Sequence, residues 1–243
     1  MGLMTSIYSS LGYVKLVRGD RQGAEKYLER AFELGMRKPA YLTAYGSMLM
    51  QKGEYERCKE VYNRALDNLG VNTMYYAAIV GSIITCDYKL GDKEKALEAA
   101  KDLYETVKNG TTYVIYGYLL MAEGRLDEAL VINREGFEYD ENDVAICDNL
   151  GQNYYFLEDR ENAKIYFEKA LDIKREMPDS CYFLAQIYLD EGNIERAYYL
   201  LDDAMDSAIS ALTTVTRQQI EERFQSVENI YNRIKAARGE DVE

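Results

Sequence analysis

Four sets of residues recur along this 243-residue chain at the same uneven spacing, and this feature limits the fold more than any other. One set holds Gly19, Gly53, Gly91, Gly124, Glu158 and Gly192, and a second holds Ala24, Cys58, Ala96, Ala129, Ala163 and Ala197. The sets that begin at Gly12 and Ala31 keep the same steps of 34, 38, 33, 34 and 34 residues. Shared irregular steps indicate a tandem array of about six repeats, in which each repeat buries its apolar face on the next.

Apolar residues within each repeat recur at helical spacing in two separate stripes. In the fifth repeat the first stripe is Cys147, Leu150, Gly151 and Tyr154, and the second is Ala163, Tyr166, Phe167, Ala170 and Leu171. This pattern predicts two antiparallel helices joined by a short turn. The residue just before the second helix is glycine in most repeats. It is predicted to end the first helix in the left-handed conformation.

This order of residues resembles the tetratricopeptide repeat (TPR) over about residues 5–209. The first repeat carries the match through Tyr8, Leu11, Gly12, Gly19, Ala24, Leu28 and Ala31, and the fifth through Cys147, Leu150, Gly151, Tyr154, Ala163, Phe167 and Ala170. The third repeat departs from the pattern, because Ile83 and Ile84 replace the Leu-Gly pair. A Sel1-like array is the alternative, and the predominant 34-residue step argues against it. The resemblance implies an all-α fold, a right-handed α-solenoid of about six TPR-like helix-turn-helix repeats.

The repeats are predicted to start near residues 5, 39, 77, 110, 144 and 178. The 38-residue step adds about one helical turn, and Asn72-Thr73 is predicted to cap the helix that this turn extends. After residue 209 the array gives way to a predicted C-terminal capping helix over 210–238, with a frayed tail at 239–243. The apolar stripe of that helix is Ile220, Phe224, Val227, Tyr231 and Ile234. A dimerising helix, and thus a homodimer, is the alternative.

Composition narrows the class of function. The net charge of −13 disfavours binding to nucleic acid or to a bare membrane surface, and it favours a cationic or apolar protein or peptide. The chain has no histidine, and its sequence contains no phosphate-binding glycine loop and no cysteine pair at metal-ligand spacing. We therefore expect no catalytic residues, no metal site and no cofactor. The chain is predicted not to be an enzyme.

The four cysteines are predicted to be small, buried, reduced packing residues. Equivalent positions of stacked repeats lie too far apart for a disulfide without backbone movement. Reduced thiols favour the cytoplasm. The sequence contains neither a membrane-spanning stretch nor a signal peptide, so no direct membrane insertion is expected. Tethering by a segment upstream of Met1 is the alternative.

The TPR resemblance implies that the first helix of each repeat lines a concave groove. The groove residues carried over by this resemblance are Tyr13, Met50, Tyr88, Lys89, Tyr118, Met121, Gln152, Tyr155, Phe156, Tyr182 and Gln186, with Asp148 on the same face. They predict a Tyr-lined surface for a peptide or helix of a partner, although any of these tyrosines can instead pack against the neighbouring repeat. The predicted function is a non-catalytic protein-interaction scaffold. The alternative is the exposed part of a membrane-tethered or multi-domain protein that organises an assembly through its ends.

Overall fold

The computed structural model describes residues 2–69 and 75–239, which form thirteen helices and no strand. The helices are α1 Leu3–Val17, α2 Arg21–Glu33, α3 Pro39–Gln51, α4 Tyr55–Leu66, α5 Tyr76–Lys89, α6 Lys93–Thr106, α7 Gly110–Ala122, α8 Leu126–Tyr139, α9 Val144–Phe156, α10 Arg160–Ile173, α11 Pro178–Asp190, α12 Ile194–Asp206 and α13 Arg217–Arg238. The first twelve form six successive pairs. The predicted all-α class built from helix pairs is confirmed.

The chain divides into two compact bodies, residues 1–112 and residues 113–243, which we call the N-terminal body and the C-terminal body. Helix α5 begins at Tyr76 in the N-terminal body. The predicted cap at Asn72-Thr73 lies outside the described residues, as do residues 240–243 of the predicted tail.

The turn before each second helix has the backbone conformation expected from the sequence. Five glycines of the first set, Gly19, Gly53, Gly91, Gly124 and Gly192, have positive φ values between 74° and 95°. The left-handed turn is therefore confirmed. Glu158 occupies the sixth position with a φ of 64°, where a side chain costs about 1 kcal/mol relative to glycine.

Glycines on the first helices permit close approach of the second helices. A Cβ atom placed on Gly151 would lie 2.4 Å from Cδ1 of Phe167, so no other residue fits without displacement of that ring. The same register pairs Ile84 with Ala100 in the third repeat. There the bulky residue is on the first helix and the small one on the second, which explains how the repeat tolerates the loss of its glycine.

Each body has its own apolar core. Leu28, Leu42, Leu49 and Val61 are fully buried in the N-terminal body. In the C-terminal body the core includes Leu150, Phe167, Leu184, Leu201, Ile220 and Val227. All four cysteines are buried and free, as expected for packing residues.

Helix α13 continues the core of the C-terminal body. Its buried residues Ile220 and Val227 join the cluster formed by the last two helix pairs. The ring of Tyr231 stacks on Tyr198 of α12 with 4.3 Å between centroids. Thr216 caps the N-terminus in a capping box with Gln219. The apolar stripe predicted for this helix thus packs against α12 of the same chain.

Candidate functional site

Helices α9 and α11 are the first helices of the fifth and sixth pairs, and they contact each other. Helical spacing places one set of predicted groove positions on each helix. The set on α9 is Asp148, Gln152 and Tyr155, and the set on α11 is Tyr182 and Gln186. Asp179 was not among the predicted positions, and it lies on the same face of α11 one turn before Tyr182. We call this surface the α9/α11 face. Its polar end consists of Asp148, Gln152 and Asp179, and its aromatic end consists of Tyr155, Phe156, Tyr182 and Gln186.

The polar end contains a buried carboxyl group on each helix. Asp148 accepts a hydrogen bond from the hydroxyl of Ser180 and another from Nε2 of Gln152 at 2.8 Å. Burial raises the pKa of Asp148 to about 6. Gln152 is fully buried although it was predicted to face a partner. The fixed hydrogen bonds hold both side chains in place.

Asp179 binds backbone amides that belong to a distant part of the chain. Its Oδ1 accepts from the N–H of Thr214 at 3.0 Å and from the N–H of Val215 at 2.8 Å. Burial, reinforced by the nearby charge of Asp148, raises the pKa of Asp179 to about 8. The hydroxyl of Thr214 also donates to Oε1 of Gln152 at 2.5 Å. Residues from α9, α11 and the region after α12 therefore form one polar network.

Residues 207–216, between α12 and α13, form the linker segment that covers the polar end. The side chain of Val215 is buried in the core cluster of the C-terminal body, whereas residues 208–210 are exposed. Residues 210–213 of the segment form a turn, in which the backbone N–H of Ser210 donates to the hydroxyl of Thr213 at 2.8 Å. The chain itself thus occupies part of the predicted groove.

The aromatic end is open by comparison. Phe183 lies at its centre, with ring centroids 4.8 Å from Tyr155, 5.5 Å from Phe156 and 5.5 Å from Tyr182. Phe183 itself is buried, Tyr155 and Tyr182 are half-buried, and the side chain of Phe156 is 37% exposed. The guanidinium of Arg160 lies 3.7 Å from the ring centroid of Tyr155. This cluster presents ring faces and edges to solvent on a rigid base.

Gln186 adds a hydrogen-bonding group to the aromatic end. Its Nε2 is buried and has no hydrogen-bond partner among the described residues. A buried donor without an acceptor costs free energy. If the Gln186 amide turns to the surface, an acceptor supplied from outside, such as a backbone carbonyl oxygen of a bound segment, removes that cost.

The other predicted groove residues are distributed over both bodies. In the C-terminal body, Tyr118 and Met121 are buried and offer little surface to a partner. In the N-terminal body, Tyr13 is exposed and packs its ring 5.7 Å from that of Tyr41. Met50 and Tyr88 are half-buried and Lys89 is exposed. The assignment of the whole set to a partner stays a prediction.

Sequence reasoning missed three contributors to the α9/α11 face: Asp179, Phe183 and Thr214. Asp179 follows Pro178 in the first turn of α11, where an acidic residue is usually explained by the helix dipole. Phe183 lies one position beyond a groove residue. Thr214 lies outside the repeats, 62 residues after Gln152 in the sequence. No periodic pattern could therefore have predicted the hydrogen bond between them.

Two further surface features bear on function. Helix α1 exposes a row of apolar side chains, with Leu3 78% and Val17 71% exposed at its two ends. In the N-terminal body, Leu16 and Ser47 help line an open cleft of about 500 Å³.

The described residues contain neither a membrane-spanning helix nor a cluster of metal ligands. Residues 2–69 and 75–239 contain no helix that is both long and apolar enough to cross a membrane. Within the same part of the chain, no cluster of three or more Cys, Asp or Glu side chains could hold a metal ion.

Comparison with known proteins identifies similar repeats and similar folds. The family model for the tetratricopeptide repeat matches residues 39–68, 144–177 and 178–212. A thermophilic TPR protein of Thermus thermophilus is 19% identical, with a TM-score of 0.62 over 78% of this chain and 98% of that one. Yeast Tom70 is 15% identical, with a TM-score of 0.64 over 93% of this chain and 47% of that one.

A third structure has nearly the same extent as this chain. A tetratricopeptide repeat protein from Parabacteroides merdae is 17% identical, with a TM-score of 0.52 over 93% of this chain and 99% of that one. At these identities the likeness shows the fold alone. Among proteins of curated function, none matches this sequence.

Proposed function

Because this chain belongs to the tetratricopeptide-repeat superfamily, we propose that it is a non-catalytic scaffold that binds a segment of a protein partner at the aromatic end of the α9/α11 face. Proteins with TPR arrays generally act as non-catalytic scaffolds for protein or peptide partners. The finer assignment, to this face and to the residues named below, is the proposal.

The observation that carries the proposal is the partly exposed ring cluster beside an unsatisfied donor. Tyr155, Phe156 and Tyr182 surround the buried ring of Phe183, and rigid aromatic side chains of this kind are the usual anchors of interfaces. Nε2 of Gln186 supplies a donor without an acceptor. A partner segment would place apolar side chains on the rings and a carbonyl oxygen on Gln186.

Charge supports a cationic or apolar partner. The chain carries a net charge of −13, which attracts positively charged segments and accelerates their association. The four free, buried cysteines suit a reducing compartment, and we therefore place the scaffold in the cytoplasm in this proposal.

The test uses peptides selected by display on the immobilised full-length chain. A selected peptide is synthesised, and its dissociation constant is measured for the parent and for Tyr182→Ala and Phe156→Ala. We expect each substitution to weaken binding by about tenfold or more, as for an interface anchor. The exposed Tyr139 on α8 provides the control, and Tyr139→Ala should bind like the parent. Unchanged binding to Tyr182→Ala, with an unchanged circular dichroism spectrum, would exclude the aromatic end.

A second candidate function is assembly through the N-terminal end of the array. Leu3, Ile7, Leu11, Val14 and Val17 are all exposed on α1. This helix contains no acidic residue, and its apolar side chains recur at steps of three and four residues. We propose a second copy of α1 as the occupant, because two such stripes can pack antiparallel with no like-charged carboxylates between them.

Sedimentation equilibrium of the full-length chain tests that assembly. We expect the parent to associate and the Ile7→Lys variant to be monomeric, because a lysine in the packed stripe would be desolvated. A monomeric parent across the micromolar range would exclude the second candidate. The stripe of α13 is not proposed as a dimer contact, since its packing against α12 supports a capping role.

A further inference from the structure

The polar end of the α9/α11 face already holds a bent piece of polypeptide, namely residues 214 and 215 of the linker segment. Two successive amides of that segment donate to Asp179, from Thr214 at 3.0 Å and from Val215 at 2.8 Å. The hydroxyl of Thr214 donates to Gln152. Three donors of one short stretch are therefore bound by two acceptors on neighbouring helices.

Most of this recognition is directed at the backbone. Asp179 accepts only from main-chain N–H groups of the segment, and every non-proline residue carries such a group. Side-chain selection comes from Thr214, through its hydroxyl, and from Val215, whose apolar side chain is buried in the core cluster. Another segment that adopts the same bend and carries the same groups could make the same hydrogen bonds.

The acceptors are prearranged by contacts that do not involve the linker segment. Ser180 and Gln152 both donate to Asp148, which fixes the amide group of Gln152. Helix α11 holds Asp179 in its first turn, directly after Pro178. The site is therefore built from the two first helices, while its occupant comes from outside the repeats.

The flanks of the linker segment are anchored separately from its bound residues. Arg217 donates to the carbonyl oxygens of Ala204 at 3.2 Å and Met205 at 2.7 Å, and α13 is held by its own buried residues. Residues 208–210 are exposed. Residues 210–215 lie between these anchors, so their release would uncover the side chain of Val215 without breaking the bonds of Arg217 to α12.

We propose that the linker segment is an internal ligand, and that the polar end binds a partner segment with the same bend in its place. The partner segment presents two consecutive backbone N–H groups to Asp179, a serine or threonine hydroxyl to Gln152, and a small apolar side chain at the next position. This inference rests on the proposed function, because the partner segment continues from the aromatic end to the polar end. Occupancy by the linker segment then lowers the apparent affinity for the partner.

The experiment uses the chain's own sequence as the probe. A peptide of residues 208–218 with fluorescein on its N-terminus and an amidated C-terminus is added to the full-length parent and to a full-length variant. In this variant residues 210–215 are replaced by six Gly and Ser residues. This replacement keeps the length of the linker segment and the Thr216 cap. Fluorescence anisotropy measures the dissociation constant for each.

We expect the replaced chain to bind the peptide and the parent to bind it at least about tenfold more weakly, since the parent's site is filled. A second peptide carries N-methylvaline at the position of Val215, which removes one donor and keeps the side chain. It should bind the replaced chain at least about tenfold more weakly, because a hydrogen bond to a carboxyl group is lost. Equal binding by the parent and the replaced chain, or equal binding of the two peptides, would overturn the proposal.

If the replaced chain does not fold, Thr214→Val in the full-length chain takes its place. This variant keeps both amides and loses the hydroxyl bond to Gln152, so it should bind the peptide more tightly than the parent, and equal affinity would overturn the proposal. The outcome is distinguishable from failure of the proposed function. If the selected peptides bind Tyr182→Ala as tightly as the parent, the aromatic end is excluded as a binding site. Weaker binding of the N-methylvaline peptide would still show that the polar end binds the 208–218 peptide.

Discussion

The helix pairs α9–α10 and α11–α12 share one 34-residue register, yet the same positions behave differently in the two pairs. Three positions show the contrast, occupied by Gln152 and Gln186, by Gly151 and Ala185, and by Glu158 and Gly192. Gln152 is bonded at both ends of its amide, whereas Nε2 of Gln186 has no partner among the described residues. The register thus determines where a side chain lies. The rest of the chain determines what that side chain binds.

The linker segment is the source of the largest difference between the two pairs. It follows the last pair, reaches back to Asp179 and extends across to Gln152. The polar end is therefore closed by the chain, and the aromatic end is left open. Substitutions that exchange residues between the two pairs, or that alter one end alone, test this description.

The largest effect is expected from pH and from Asp179→Asn. The raised pKa of Asp179, about 8, means that between about pH 4 and pH 8 the folded chain holds a proton which the unfolded chain has released. The stability contributed by this group is therefore fully present below its unfolded pKa and is lost as pH rises through 8. The loss is on the order of a few kcal/mol. Asp179→Asn removes the titration, so its stability relative to the parent should increase from pH 5 to pH 8.5 in urea unfolding.

The groups that face Asp179 are the carboxyl of Asp148, the amide of Gln152 and the backbone amides of Thr214 and Val215. Asp148, Gln152, Ser180 and Thr214 complete the network, and the pKa of Asp148 is also raised by burial, to about 6. Asp159→Asn is the matched control, because Asn162 lowers the pKa of this exposed capping carboxyl. Its contribution is present above the unfolded pKa and is lost as pH falls, which is the opposite sign. A parallel pH response of both variants would contradict the buried network.

The second prediction compares Gln152→Leu with Gln186→Leu. At position 152 the substitution removes the donor to Asp148 and the acceptor of the Thr214 hydroxyl. Leaving a buried carboxyl group and a hydroxyl short of partners should cost about 2–3 kcal/mol. At position 186 the lost Nε2 had no partner, so the change in unfolding free energy should stay within about 0.5 kcal/mol. Urea midpoints that fall equally would refute the contrast.

The fold could be predicted from the sequence because its signals are periodic and local. The register of Gly151 against Phe167 and the left-handed turns follow from residues that recur in most repeats. The groove face of α9 was implied by the TPR resemblance. Closure of its polar end was not, because Asp179 resembles an ordinary first-turn acid and Thr214 lies in a segment with no period. Contacts between a repeat and a non-repeated segment leave no pattern in a single sequence.

The third prediction exchanges the small residues of the two pairs. Gly151→Ala brings a Cβ atom to 2.4 Å from Cδ1 of Phe167, and the overpacking should cost about 1–2 kcal/mol after the better helix propensity of alanine is counted. The α11–α12 pair carries Ala185 opposite Leu201 in the same register. The double variant Gly151→Ala/Phe167→Leu should therefore be more stable than the sum of its two single changes predicts. Simple additivity in thermal unfolding would show that the two positions do not interact.

The smallest expected effect is at the turn that follows the aromatic end. Glu158 has a φ of 64°, and the equivalent Gly192 has a φ of 77°. Since only glycine adopts this conformation without steric cost, Glu158→Gly should raise stability by about 1 kcal/mol and Gly192→Glu should lower it by a similar amount. The opposite signs are informative because both residues are exposed and neither contributes to the core. Glu158→Gly could instead destabilise the chain and leave peptide binding unchanged. The Glu158 side chain would then stabilise this turn by more than the backbone strain costs. In that case the two pairs differ in a local contact rather than in backbone conformation.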